Sequence, residues 1–446
     1  MFRYLSLKNY KSLVNIRVDF TKTRDIPRKL IMIYGENGIG KTNLASSFLT
    51  LRDTLETKYA IEEADKILAS FPKTISNEDK EEIYNQIMRY RTLENIIKNA
   101  KTINSSGNMR LEFGFRLKGY AGVYLLETNE TEVVHEKLEY VYKKNKAVFF
   151  DISPENIILN NNVFPDVEYR QSFKKMLEEY WGKHTLLALL LFDAREKAKG
   201  YIEKRIARNL DIFMDFLYST SIETRESRRE NRSVLYVGGN RLLRNIEEGS
   251  VAINDEVEII KTENMLNEFF TSLYSDIKQV YYEREKENNQ IRYKLFFRKL
   301  IFGELRDIEY SKESTGTVKL IELLPYFIQG LNKGVVVIDE MDSGIHDLMI
   351  EAVLESLYPY ITGQMIITTH NTQFLESSLA KDSVYIFHVD AEANKELIPI
   401  RDFELRMHPN LNLRKRYLSG LYGGIPNTME VDFSEMTSHN VKGDEK

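Results

Sequence analysis

The sequence predicts an α/β fold: a parallel sheet with a glycine-rich loop, a mixed or antiparallel β subdomain and a large helical insertion. Three stretches predict it. The apolar run Leu30-Ile31-Met32-Ile33-Tyr34 leads into Gly35-Glu36-Asn37-Gly38-Ile39-Gly40-Lys41-Thr42 and then into a segment of helical character. A second run, Val335-Val336-Val337-Ile338, is β-branched throughout and ends in Asp339-Glu340, as a strand buried on both faces of a parallel sheet would. Between them, Leu111, Phe113 and Phe115, then Val123 to Leu126, then Leu138, Tyr140 and Tyr142 follow the period of antiparallel strands.

Strand, glycine loop with Lys-Thr, then helix is the context of a phosphate-binding P-loop. The glycines let backbone N–H groups curl around a phosphate, and the helix start adds the positive end of its dipole. Glu36, Asn37, Gly38, Ile39, Gly40, Lys41, Thr42 and Asn43 are the expected nucleotide-binding residues. Lys41 reaches the β- and γ-phosphates, and the Thr42 hydroxyl is placed for Mg²⁺. Asp339 is expected to share that Mg²⁺, and Glu340 to orient or deprotonate the attacking water. A third apolar strand, Met365 to Thr368, ends near His370, which is placed to sense the γ-phosphate. Glu313-Ser314-Thr315-Gly316-Thr317 precedes a helix, and a Ser with backbone N–H groups there forms an anion site.

In chain order, residues 2–20 alternate as two strands around Asn9-Tyr10-Lys11-Ser12, and the P-loop unit comes next. The stretch from Leu51 to about Lys101 reads as two or three helices, with breaks at Pro72 and Ser76-Asn77. Long helices are expected from Asp166 to about Ser219, then an arginine-dense segment, Arg225 to Arg244, then more helix to about Glu287. A strand pair at 292–300 and 304–310 leads into alternating helix and strand until about Ile400. The end from Thr437 is polar and expected to fray.

Composition excludes several classes. A net charge of −5 offers no global basic field to nucleic acid or membrane. The chain has no cysteine, so disulfides, thiolate metal sites and a Cys nucleophile are out. The apolar run from Leu186 to Phe192 is far short of a membrane span, and no signal-peptide layout opens the chain, so a cytoplasmic location is expected. The seven histidines show no ligand spacing, which removes a His-based metal hydrolase.

The order of these motifs resembles ABC-type ATPases of the non-transporter branch, related to RecF-like and chromosome-maintenance ATPases. The resemblance implies an ABC-type P-loop NTPase head. Lys41 and Thr42 match its Walker A site, Asp339 and Glu340 its Walker B site, and Ser314 and Gly316 its signature turn. Asp342-Ser343-Gly344-Ile345-His346 matches the D-loop, and His370 the switch histidine. It further implies that the signature turn of one subunit caps the ATP on another, giving a dimer or higher homo-oligomer. Thr317 stands where the family usually has Gln, and no motif places a Q-loop glutamine; Gln171 would be a guess. On this layout residues 1–50, 106–150 and 291–400 form the ATPase lobe, 51–105 a helical insertion, 151–290 a helical subdomain and 401–446 a C-terminal element and tail.

The phrasing Glu-Asn-Gly-Ile-Gly-Lys-Thr-Asn, Ser-Thr-Gly-Thr, Ile-Asp-Glu-Met-Asp-Ser-Gly-Ile-His and Thr-Thr-His-Asn is similar to soluble ATPases of bacterial abortive-infection and anti-phage systems, such as the AbiL/RloA type and the PARIS ATPase. So is Leu413 to Pro426, which either docks a neighbour or packs on the ATPase lobe. This similarity implies a sensor or scaffold ATPase controlling a separate effector, often a nuclease. The chain carries no HNH-like His/Cys cluster, and too few residues follow His370 for a TOPRIM nuclease domain. The alternative is a DNA-repair or chromosome-maintenance ATPase that grips nucleic acid through Arg225, Arg228, Arg229, Arg232, Arg241 and Arg244. Interleaved Glu223, Glu226 and Glu230 favour a solvated or protein-contacting face instead. A transporter motor fits less well, because the insertion is large and no coupling element is evident.

Overall fold

In the computed structural model, residues 1–425 are described, apart from 24, 72–75, 288, 405–407 and 409–410. The expected break at Pro72, the residue Pro426 and the tail from Thr437 lie outside the described residues.

A six-stranded sheet forms the centre, in the order Lys395–Pro399, Val384–Val389, Leu30–Tyr34, Gln364–Thr368, Val335–Ile338, Ser221–Glu223. All neighbours are parallel except the outermost pair, Val384–Val389 with Lys395–Pro399. Every residue of Leu30–Tyr34, Val335–Ile338 and Gln364–Thr368 is buried, because both faces are covered. Alternate residues feed two separate cores. Ile31, Ile33, Val335, Val337 and Ile366 face one; Leu30, Met32, Val336, Ile338, Met365 and Ile367 face the other.

The first core lies between this sheet and a seven-stranded antiparallel sheet, in the order Leu13–Asp19, Phe2–Tyr10, Met109–Leu117, Tyr120–Thr128, Val133–Tyr142, Asn145–Ser153, Asn156–Leu159. The helix Lys41–Ser70 and the helices Val167–Tyr180, Leu186–Glu196 and Arg208–Tyr218 share that core. Gln364 stitches the two sheets together. Its amide donates to the carbonyls of Phe2 (2.9 Å) and Arg28 (3.0 Å) and accepts the Phe2 N–H (2.7 Å), so the polar group is fully used although buried.

On the other face, the helices Thr315–Leu331, Asp347–Leu357 and Glu256–Leu273 pack with a four-stranded sheet of Glu248–Ala252, Gln290–Ile301, Ile277–Glu287 and Glu304–Glu309. Here the expectation of helix up to about Glu287 holds for Glu256–Leu273 and fails for the strands Glu248–Ala252 and Ile277–Glu287. Ile277–Glu287 is a strand paired along its length with Gln290–Ile301. Its second half, Glu283 to Glu287, is charged and lies at the surface, so it shows no apolar alternation, and only Val280 and Tyr282 carry the period. The C-terminal segment packs on the lobe: Tyr417 meets Tyr34 edge-on at 5.7 Å and donates to the Gly424 carbonyl at 2.8 Å.

Candidate functional site: a nucleotide cleft at the strand ends

Leu30–Tyr34, Val335–Ile338 and Gln364–Thr368 run parallel, so their carboxyl ends fall on one edge of the sheet, where α/β folds bind ligands. The loops leaving these three strands are therefore gathered around one cleft of about 1270 Å³. Asn37, Gly38, Gly40, Lys41, Thr42 and Asn43 come from the first, Glu340, Asp342 and Ser343 from the second, and His370 from the third.

The loop needs its glycines for two distinct reasons. Gly38 has φ +80°, open to L side chains only at a cost, and Gly40 has φ +127° with Leu13 Cδ2 only 2.8 Å from where a Cβ would stand. The helix begun at Lys41 has no side-chain cap and no acidic residue in its first turn, so its N–H groups stay available to an anion. Lys41 is buried and donates to the carbonyls of Gly35 (2.7 Å) and Glu36 (3.0 Å). Burial pulls its amine down to about 8. Asn43 donates to the Ser12 hydroxyl at 2.7 Å. Ile39 turns its side chain into the first core, and neither it nor Glu36 lines the cleft.

Asp339, expected to share the Mg²⁺, is fully buried and does not itself line the cleft; it lies directly before the lining residue Glu340. Its Oδ1 accepts the Thr368 hydroxyl at 2.5 Å, and its Oδ2 has only a long 3.4 Å contact with the Arg225 N–H. The same Thr368 oxygen accepts the Glu340 N–H at 2.8 Å, and Glu340 sits at φ +53°, which turns it out of the strand direction. Asp342 Oδ2 accepts the His370 N–H at 3.2 Å. Burial, then the nearby Lys41 charge, depresses the basicity of the His370 ring.

Whether these residues suit a nucleotide with Mg²⁺ can be judged from what they leave unmet. Among the described residues Asp342 Oδ1 is buried without a hydrogen-bond partner, and Asp339 Oδ2 has only its long contact with Arg225. That side calls for a cation, while the uncapped loop N–H groups and Lys41 call for an anion. No group of three His, Cys, Asp or Glu side chains able to hold a metal exists among the described residues. A Mg²⁺ sharing one or two protein ligands with phosphate oxygens meets both needs.

Ser314 and Gly316 are not part of this chain's cleft. Ser314 caps the helix Thr315–Leu331, accepting the Thr317 N–H at 3.2 Å, and Gly316 lies against the Gly344 carbonyl, where a Cβ would come within 3.1 Å. The guess Gln171 sits exposed on the helix Val167–Tyr180, away from the cleft.

Six lining residues are not among those expected at the nucleotide: Arg89, Tyr90, Arg225, Glu226, Arg229 and Glu230. The last four come just after Ser221–Glu223, the edge strand beside Val335–Ile338. Three residues are too few to show a period, so only the pairing reveals that the arginine-dense segment starts at the cleft. Two of its arginines are held by carboxylates: Arg228 by Glu223 (3.0 Å), and Arg232 by Asp53 (2.5 Å) and Glu230 (2.6 Å). Arg241 and Arg244 are exposed on a short turn of helix away from the cleft.

The fold and this cleft define a P-loop NTPase of the α/β class, with an added antiparallel β subdomain and helical insertion. More particularly, residues 30–376 match the family described as "AAA domain, putative AbiEii toxin, Type IV TA system", and the chain belongs to that family. No curated protein matches the chain. Among solved structures, the SMC head domain from Thermotoga maritima is 15% identical, with 89% of this chain and 98% of that one covered and a TM-score of 0.37. An SMC head bound to the C-winged helix domain of ScpA is 13% identical, covering 89% and 97%, with a TM-score of 0.44. A third, the Smc head domain with an extended coiled coil bound to the C-terminal domain of ScpA derived from Pyrococcus furiosus, is 16% identical, covering 89% and 95%, at 0.38. Likeness at this level bears on neither activity nor partners. Among the described residues no helix is long and apolar enough to cross a membrane.

Proposed function

We propose that the chain is an ATPase that hydrolyses ATP to ADP and phosphate and serves as the sensor or scaffold subunit of an anti-phage defence complex in the cytoplasm. One observation carries the ATPase reading: Lys41, Glu340, Asp342 and His370, from three strand ends, border a single cleft. The loop N–H groups and Lys41 hold the β- and γ-phosphates. Thr42 and Asp339 would hold Mg²⁺, which supplies charge neutralisation on the phosphates when bound. Glu340 orients a water and takes its proton as the water oxygen bonds to the γ-phosphorus and the bond to the ADP oxygen breaks. His370 donates to the γ-phosphate oxygens.

Ser314 and Gly316 lie outside their own chain's cleft, which supports their closing a site on a second copy and hence assembly through ATP. The defence role, with a separate effector such as a nuclease, is supported by the motif phrasing; the family description names a putative toxin of a toxin–antitoxin system and no effector. Purified wild-type chain, Lys41→Ala and Glu340→Gln are compared for ATP affinity, turnover and mass. Lys41→Ala is expected to lose ATP binding, and wild-type affinity in it would overturn the P-loop reading. Glu340→Gln is expected to bind ATP, fall roughly a hundredfold or more in turnover and gain mass as an ATP-closed assembly. DNA or RNA cleavage by the purified chain alone, with ATP and Mg²⁺, would sink the separate effector.

A further inference from the structure

The water-orienting carboxylate of the proposed reaction is already engaged. Glu340 carries Arg225 Nη1 at 3.6 Å from one oxygen and Arg228 Nη2 at 4.0 Å from the other. The two arginines are not equivalent. Arg228 is pinned, donating to Glu223 Oε1 at 3.0 Å and to the Asp339 carbonyl at 3.1 Å, and Glu223 is itself tied to Lys319 at 2.7 Å. The Arg225 side chain is 65% exposed, lines the cleft, and has Glu340 as its ion-pair partner. Its backbone is anchored independently by the Thr224–Ser227 capping box, with a long N–H contact to Asp339 Oδ2 beside it. The result is a capped main chain with an exposed guanidinium, close to the carboxylate that must face water.

From this geometry we infer that Arg225 is a positioning residue that senses the terminal phosphate. It holds Glu340 when no nucleoside triphosphate is bound and moves to the γ-phosphate when one enters. A terminal phosphate carries more charge and more acceptor oxygens than one carboxylate, and it takes a guanidinium in a fork geometry. Transfer of Arg225 frees one face of Glu340 for water, while pinned Arg228 keeps the side chain aligned. A diphosphate lacks the acceptor and leaves the pair closed. The inference rests on the ATPase reading above and adds a discrimination step to it.

The test is a double-mutant cycle on nucleotide binding, with ATP and ADP affinities measured by calorimetry in the presence of Mg²⁺. The variants are Arg225→Gln, Arg225→Lys, Glu340→Gln and the Arg225→Gln/Glu340→Gln pair. Arg225→Gln is expected to weaken ATP roughly tenfold and leave ADP unchanged, since one charge-assisted contact is lost only with the triphosphate. Arg225→Lys should recover part of the preference. In Glu340→Gln, where Arg225 has no carboxylate to leave, ATP should bind several-fold tighter than to wild type, and the two substitutions should not be additive. Equal loss of ATP and ADP, no change in their ratio, or strict additivity overturns the inference while the ATPase reading stands. Failure of the wild-type chain to bind either nucleotide overturns both. Because the Arg225 side chain is mostly in solvent, a thermal midpoint close to wild type is expected, and the Lys variant guards against a fold defect.

Discussion

Two carboxylates, each fully buried, sit in or at the end of strands of the two sheets that flank the first core, and their surroundings differ. Glu136, in the antiparallel sheet, is saturated: its oxygens accept from Trp181 Nε1 (3.0 Å), the Leu186 N–H (2.6 Å) and the Tyr124 hydroxyl (3.0 Å). It sits at the N-terminus of the helix Leu186–Glu196, so charge, dipole and hydrogen bonds close on themselves. Among the described residues Asp339, at a parallel strand end, has one strong partner, Thr368, and a long contact, and Asp342, three residues on, lines the cleft with an unpartnered Oδ1. Burial is the same in both; what differs is whether acceptor capacity is left over. A buried acid whose lone pairs are all used is part of the scaffold, and one left short is a place for a ligand.

The largest expected effect separates the pair. Asp339→Asn should weaken Mg²⁺-dependent ATP binding roughly a hundredfold, because several kcal/mol of metal-linked stabilisation is at stake. Its unfolding free energy should change by under about 1 kcal/mol, since the amide oxygen still accepts from Thr368. Titration with ATP and chemical denaturation measure the two; a large stability loss with normal ATP affinity would reverse the roles. Glu136→Ala should do the opposite, costing about 3 kcal/mol by stranding Trp181 and Leu186 donors, with nucleotide affinity intact.

A smaller effect comes from pH. Burial raises the Glu136 carboxyl from its ordinary 4.5 to about 7, so the folded chain binds a proton that the unfolded chain has released between those values. Stability from this group is therefore present below about pH 4.5 and lost as pH rises towards 7. Denaturation midpoints across that window should slope downward less in Glu136→Gln than in wild type. The smallest effect is at the cleft. With Lys41 at about 8, the free protein increasingly lacks that charge above pH 8 and must take up a proton to bind phosphate. ATP affinity should fall by at most about tenfold per pH unit there, while Lys41→Arg should show no such slope.

Much of the site is legible in the sequence because its chemistry is local. Gly35 to Thr42, Asp339-Glu340 and His370 each come directly after an apolar strand, and a strand with a polar tip is visible in a window of ten residues. Arg89, Tyr90, Arg225 and Arg229 are not legible as cleft residues, since nothing near them in sequence carries phosphate chemistry. The arginine-dense segment reads as a surface or a nucleic-acid patch, whereas Arg228 and Arg232 are held by carboxylates and Arg225 faces Glu340. The strand Ile277–Glu287 reads as helix in the sequence because its exposed half is charged on both faces.

The sequence alone determined the class of chemistry: which loop can cradle phosphate, which strand ends carry acids, and where the backbone must turn through glycine. These are properties of φ, ψ and hydrogen-bond geometry within a few residues. Only the tertiary structure decided which arginines face the acids, that Glu136 is satisfied while Asp342 is not, and that Ser314 stands apart from its own cleft. The reason is that charge pairing and desolvation depend on distances between segments far apart in the chain, and those distances exist only once parallel strands have aligned their ends.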